Sequence, residues 1–398
     1  MIFGRSRQKC FLRLKTFLCS TYARNINRLT RCSSYLVLIE FEIGAESIGV
    51  CYGRVANNLP PDPEVISLYR ANGITRMRIF DPNPPTLQAL KGSNIELIVG
   101  VRNQDIQSLG NDVAAAAAWV QNNVLNYFPD VKFRYIAVGN EIKPQDAEAK
   151  YVLAAMKNIK TAIASANLQD QIKVSTAMDM SLLGSSYPPS TGSFSDAASS
   201  YINPIIAFLA SNGSPFLANV YPYFSYIGDT KDISLGYALF AAPGVTVQDG
   251  AFGYTNLFAA AVDALYSALE KAGGSSVEIV VSETGWPSEG GEGATVENAS
   301  TYYKNLIDSV KGGTPKRRGK PVETYLFAMF DENQKGPAEI ERHFGLFSPD
   351  KQPKYQIRFN EKNKALASRC TRIKSSHLVY WSILFSSLLF FNKSQGHK

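Results

Sequence analysis

Two glutamates close short apolar runs in this chain. Glu141 ends Tyr135-Ile136-Ala137-Val138-Gly139-Asn140-Glu141, and Glu283 ends Ile279-Val280-Val281-Ser282-Glu283. Runs of β-branched and aromatic residues of this length have the composition of buried parallel strands, so each acid is expected at a strand's carboxyl end. Two carboxylates facing across a cleft are the minimal equipment for cleaving a glycosidic bond. One must be protonated to donate to the leaving oxygen, and the other ionised to attack or to activate water. Asn140, beside Glu141, has the amide to hydrogen-bond a sugar 2-hydroxyl. Trp286, three residues after Glu283, is expected to supply a flat apolar wall for a pyranose face. One acid at a strand end is as readily a structural ion-pair partner. Two of them, each beside an amide or an indole, favour a site, and its chemistry calls for no cofactor and no metal.

The acids lie 142 positions apart. Only a fold that gathers the carboxyl ends of distant strands at one rim brings them together, and a (β/α)8 barrel does so. Eight strands are predicted, at residues 48–52, 75–80, 95–101, 134–141, 172–178, 217–223, 278–283 and 323–330. Helical spacing lies between them at 63–71, 85–90, 147–166, 254–272 and 296–310, and Asp112 is placed to cap a further helix through Ala114 and Val124. No GxGxxG follows the first strand, which argues against an open dinucleotide-binding sheet. The fold class is therefore α/β, a single TIM barrel. The segments after strands six and eight, 221–226 and 330–336, are aromatic-rich and fall on the rim where barrels carry substrate contacts. The basic loop 316–320 precedes strand eight and belongs to the opposite face, as a surface turn.

Composition removes other classes. The 398-residue chain has a formal charge of +7. Residues 1–45 and 360–398 each carry +6, which leaves the body at −5. An acidic body without a basic aromatic stripe does not track phosphates, so no nucleic-acid partner is expected. Of three histidines only His343 lies in the body, too few for a multi-histidine metal site and a poor basis for a Ser-His-Asp triad. Of five cysteines only Cys51 does, so no disulfide framework is expected there, and Cys51 is predicted to be a small buried apolar group.

The ends read differently from the body. Residues 1–45 join an Arg-rich stretch to a short apolar run and are expected to be an atypical signal peptide, giving a secreted or vacuolar protein, with an Arg-rich organellar transit peptide as the alternative. Residues 360–398 form a C-terminal extension whose apolar run, 378–391, is too short for a stable bilayer span. A processed lipid-anchor signal is a weaker reading of it. Asn298-Ala299-Ser300 is a glycosylation sequon usable only on the secretory route, and Asn212-Gly213-Ser214 is a poorer one because Pro215 follows.

Six segments appear in order: Ser47-Ile48-Gly49-Val50-Cys51-Tyr52-Gly53, Met77-Arg78-Ile79-Phe80-Asp81-Pro82, Val138-Gly139-Asn140-Glu141-Ile142, Asn219-Val220-Tyr221-Pro222-Tyr223-Phe224, Ser282-Glu283-Thr284-Gly285-Trp286-Pro287-Ser288 and Phe327-Ala328-Met329-Phe330-Asp331-Glu332-Asn333-Gln334-Lys335. Together they resemble the plant endo-1,3-β-glucanases of glycoside hydrolase family 17, over residues 46–359. The resemblance implies a monomeric, retaining enzyme acting on β-1,3-glucan such as callose, laminarin or fungal wall glucan. It implies Glu141 as general acid/base and Glu283 as nucleophile. Glu332 and Lys335 match a Glu-x-x-Lys pair expected to hydrogen-bond sugar and bias the carboxylates. Tyr221 is expected to orient the nucleophile or touch sugar, and Tyr52, Phe224 and Phe330 to line the cleft or pack beside it. Phe80 stands where the family usually has Tyr. The alternatives are a 1,3-1,4-β-glucanase of the same family and a catalytically silent glucan-binding wall protein.

Overall fold

The computed structural model describes residues 48–359. The leader, the C-terminal extension and the expectations attached to them lie outside these residues.

Eight parallel strands close into a barrel: β1 (Ile48–Tyr52), β2 (Arg76–Ile79), β3 (Glu96–Val101), β4 (Lys132–Asn140), β5 (Lys173–Asp179), β6 (Phe216–Asn219), β7 (Ile279–Thr284) and β8 (Thr324–Leu326). Each pairs with its neighbours in chain order, and β8 closes onto β1 through Ile48 opposite Thr324. Strands β1, β6, β7 and β8 are buried at every position, as a sheet covered on one face by helices and on the other by its own interior requires. Cys51, Ile98, Ala137, Leu217, Val280 and Tyr325 form the filling inside the barrel, while the larger apolar cluster lies between strands and helices.

The helices start where side chains can accept from unpaired backbone N–H groups. Asn83 accepts from Thr86 N ahead of α1 (Pro84–Leu90), and Asp112 accepts from Ala114 N ahead of α2 (Val113–Val120). Three later helices, α3 (Asp196–Asn212), α4 (Leu257–Lys271) and α5 (Val296–Ser309), are capped in the same way by Ser195, Asn256 and Thr295.

Among the differences from the sequence expectation, the eighth strand stops at Leu326 rather than running to 330. The sixth strand stops at Asn219 rather than running to 223, because Pro222 has no N–H for a ladder and opens a short helix, Pro222–Gly228. The helix expected from 254 begins at Leu257, since residues 252–254 pair antiparallel with 247–249. Helix α3 was absent from the expected elements: Pro204 interrupts its pattern, although Ser195 and the left-handed Gly213 mark its two ends. The loop at 316–320 lies on the face opposite the rim that carries Glu141 and Glu283. Lys316 N donates to Asp263 Oδ2 at 2.9 Å and Arg317 pairs with Glu270 at 2.9 Å, both on α4.

Candidate active site

The carboxyl ends of the strands open into a cleft of about 790 Å³ that contains both Glu141 and Glu283. Register irregularities lie immediately before each acid. The β4–β5 pairing shifts between Ala137 and Asn140, and β7 shifts against β6 between Val281 and Glu283. Such bulges redirect side chains at strand ends. Gly139 has φ 82° and Glu141 φ 54°, so the chain passes through the left-handed region at the acid itself. Asn103 holds this turn from the neighbouring strand's loop: its Nδ2 donates to Asn140 O at 3.0 Å, and its Oδ1 accepts from Asn140 N at 2.8 Å. Glu141 N donates to Ala177 O at 2.9 Å. Strain at a non-glycine residue persists only where the surroundings over-determine it, as they do here.

Glu283 is buried, with 6% of its surface exposed. Arg78 Nη1 lies 2.9 Å from its Oε1, Asn219 Nδ2 donates to the same oxygen at 2.9 Å, and Tyr221 OH donates to Oε2 at 2.7 Å. Burial and the Glu283 charge push the Tyr221 phenol well up, so it remains a donor. Glu141 is half-buried and receives one donor, Asn219 Nδ2 at 2.9 Å from Oε1. Burial, and then the charge of Glu283, raise the Glu141 carboxyl above its ordinary range against the opposing Asn219 hydrogen bond. Because one nitrogen serves both acids, Glu141 Oε1 and Glu283 Oε1 are at most about 5.8 Å apart, twice the 2.9 Å contact.

Arg78 and Asn219 were not among the expected site residues, yet they hold the centre together. Arg78 is 1% exposed; its Nη1 also reaches Asn219 Oδ1 and Ser282 O, each at 3.0 Å, and its Nη2 reaches Asn140 Oδ1 at 2.7 Å. A signal existed, because a buried charge needs a partner and Arg78 sits within an otherwise apolar strand, Met77-Arg78-Ile79. With Oδ1 committed to Arg78, Asn140 keeps its amide NH2 for the cleft it lines.

Glu332 and Lys335 also line the cleft, with Tyr52, Phe80 and Phe224. Glu332 is 2% exposed and accepts from Val55 N at 2.8 Å. Burial raises its carboxyl, and Lys335 opposes that shift. A Cβ at Gly53 would come within 2.3 Å of Glu332 Oε2, so this position must lack a side chain if the carboxylate is to stay. Lys335 pairs with Glu341 at 3.1 Å and lies 4.0 Å from the centre of the Phe327 ring. Phe80 carries the Arg78 guanidinium over its ring at 4.7 Å. Phe224 is the most open of these aromatics, at 39% exposure.

The expectation for Trp286 is corrected, and of the two readings of Phe330 the packing one holds. Trp286 is fully buried and outside the cleft; it packs edge-on against Tyr223 at 5.1 Å, and its Nε1 donates to Gly293 O at 2.9 Å. Three residues beyond a strand end, the loop's course sets a side chain's direction, and this loop turns the indole under itself, where its N–H finds a backbone partner. Phe330 is 1% exposed and packs against the edge of Tyr52 at 6.2 Å, behind the cleft wall. Cys51 is buried as expected; desolvation pushes its thiol up, and Sγ donates to Ser282 O at 3.3 Å.

The family profile described as Glycosyl hydrolases family 17 matches residues 48–359. A glucan endo-1,3-beta-glucosidase of Vitis vinifera is 66% identical over 329 residues, 82% of this chain and 95% of that protein. The glucan endo-1,3-beta-glucosidase of Nicotiana plumbaginifolia called the basic vacuolar isoform is 54% identical over 83% of this chain and 91% of its own. Among solved structures, a beta-1,3-glucanase and allergen of Cryptomeria japonica pollen is 50% identical, covers 80% of this chain and 100% of its own, and superposes with a TM-score of 0.77. With a paired-carboxylate rim on a closed eight-stranded barrel, and a match spanning every described residue, the chain belongs to glycosyl hydrolases family 17.

Proposed function

We propose that this protein hydrolyses internal 1,3-β-glucosidic linkages of β-1,3-glucans with retention of configuration. The observation that carries the mechanism is the spacing of the acids. One amide nitrogen bonded to both acids holds their facing oxygens at most about 5.8 Å apart, which fits the ~5–5.5 Å spacing of retaining pairs. Glu283 attacks the anomeric carbon while Glu141 gives its proton to the departing glycosidic oxygen. A water then attacks the glycosyl-enzyme, Glu141 takes the water's proton, and Glu283 leaves as carboxylate. The raised Glu141 carboxyl supports the acid role. Arg78 and Tyr221 support the nucleophile role, because a guanidinium and a phenol aimed at Glu283 orient it and balance its charge. Asn140, with its amide NH2 toward the cleft, is assigned to the sugar 2-hydroxyl, and Glu332 and Lys335 to a neighbouring part of the same sugar. The 1,3 linkage rests on the relatives' named activity. Entry to the secretory route, to the wall or the vacuole, is part of the proposal; the N-terminal charge pattern supports it, as does a relative named as vacuolar.

The test is laminarin hydrolysis by the purified protein with Glu283→Ala and Glu141→Gln alongside, the first product's anomer being followed by NMR. β-Anomeric oligosaccharides, lost in both variants, are the expected result. α-Anomeric products would overturn the retaining assignment. Laminarin binding without released reducing ends would leave a silent wall-binding protein. Faster cleavage of lichenan than of laminarin would move the assignment to a 1,3-1,4-β-glucanase.

A further inference from the structure

Asn219 ends β6 at 1% exposure, and its side-chain orientation is determined by its partners. A guanidinium can only donate, so the amide atom that Arg78 Nη1 meets at 3.0 Å is the oxygen. Ser282 Oγ donates to that same oxygen at 2.8 Å. Ser282 is fully buried in β7, one residue before the nucleophile, and its carbonyl accepts from both Arg78 Nη1 and Cys51 Sγ, which anchors it from the barrel interior. The amide NH2 is therefore turned toward the rim. There it reaches Glu141 Oε1 and Glu283 Oε1, both at 2.9 Å, and Asn140 Oδ1 at 3.2 Å.

A donor-only group facing Glu141 Oε1 has a chemical consequence. When Glu141 is protonated, its carbonyl oxygen is the stronger acceptor for that N–H, so the proton is favoured on Oε2. We propose that Asn219, its amide locked by Ser282 and Arg78, is a positioning residue that sets the spacing of the two acids and favours the Glu141 proton on Oε2. Ser282 belongs to the same device, because its hydroxyl keeps the amide from turning over. The groups facing Glu141 are Glu283 across the cleft, Asp179 at the end of β5 and Lys143 in its own loop. None of them supplies a fixed neutral donor, so Asn219 has no substitute among them. The inference rests on the acid and nucleophile roles proposed above.

The experiment compares Asn219→Ala and Ser282→Ala in the full chain, with Glu141→Gln as control, reading laminarin kcat, KM, direct laminarin binding and the pH profile of kcat/KM. Asn219→Ala is expected to lower kcat by about 10²–10³-fold with KM roughly unchanged, as loss of a preorganised donor at a reacting centre does. The basic limb of its profile is expected to move to higher pH, because ionised Glu141 has lost its hydrogen bond. Ser282→Ala is expected to lose about 10-fold in kcat with a smaller movement of the same limb, since Arg78 still holds Oδ1. Full kcat in Asn219→Ala, or a reduced kcat with the limb unmoved, overturns the inference. If Asn219→Ala fails to fold and binds no laminarin, Ser282→Ala decides alone: an unmoved kcat and limb there overturn it equally. Full activity in Glu141→Gln would instead sink the underlying assignment, whatever Asn219 does.

Discussion

The division of labour proposed for the two acids rests on what surrounds each. Glu283 meets a guanidinium, an amide and a phenol, whereas Glu141 meets one amide and the charge of Glu283 itself. The sign for the acid is direct. Its pKa is raised, so in the proposed role the protonated form does the work, and its contribution is present below that pKa and lost as pH rises through it. We therefore expect kcat/KM to fall on the alkaline side along a single-proton limb centred above the ordinary carboxyl range, and Glu141→Gln to abolish that limb along with turnover of laminarin. Tyr221→Phe removes one donor to Glu283 while keeping the ring among Phe224, Phe327 and Phe344. A hydrogen bond to a charged group contributes about 1.5–3 kcal/mol to folding, so the thermal midpoint is expected to fall, and loss of a donor to Glu283 is expected to lower kcat of the folded protein by about 10- to 100-fold. A circular-dichroism melt beside the laminarin assay checks both halves.

Strand ends make the site, and their irregularities do the aiming. Regular alternation would set Glu141 on the face of Ala137, opposite Val138 and Asn140; instead the shift after Ala137, the left-handed Gly139 and the left-handed Glu141 bring both Asn140 and Glu141 to Asn219. Gly139→Ala tests this, because φ of 82° disfavours a Cβ and the added methyl would meet Ile106 Cδ1 at 2.7 Å. A loss of about 1–3 kcal/mol of stability in urea is expected. A drop in kcat larger than in the folded fraction should accompany it, because the acid moves with the turn. At this scale the sequence was legible where one element dictates its own form: all eight strands, Asp112 as a cap, and both acids at strand ends. It was illegible where a partner far along the chain decides. Trp286 reads as a sugar platform beside Glu283, but the loop at 293 and Tyr223 claim it for the core. Asn219 reads as the start of a Tyr-Pro-Tyr segment, and only the neighbouring strands give it two carboxylates to hold.

The whole barrel separates chemistry from stability by its two ends. At the face opposite the cleft, Arg134 forms a bidentate pair with Glu323 at 2.9 and 2.7 Å, Arg76 pairs with Glu96 at 2.8 Å, and Tyr325 OH donates to Glu323 at 3.0 Å. Removing one partner strands the others in a largely desolvated site. Glu323→Ala is expected to cost on the order of 3 kcal/mol in equilibrium unfolding while leaving kcat of the folded enzyme unchanged. A loss of kcat equal to that of a cleft variant would contradict the separation. By itself the sequence determined the class of fold, the order of strands and the rim at which the acids meet, and it suggested the two-carboxylate chemistry, because hydrophobic period, caps and turn residues act over a few positions. Tertiary structure alone decided that Arg78 and Asn219 hold the acids, that one nitrogen sets their distance, and that Trp286 and Phe330 belong to the core. Those outcomes depend on which side chains meet across strands dozens to hundreds of residues apart, and a register shift of one residue changes them while leaving the local pattern the same.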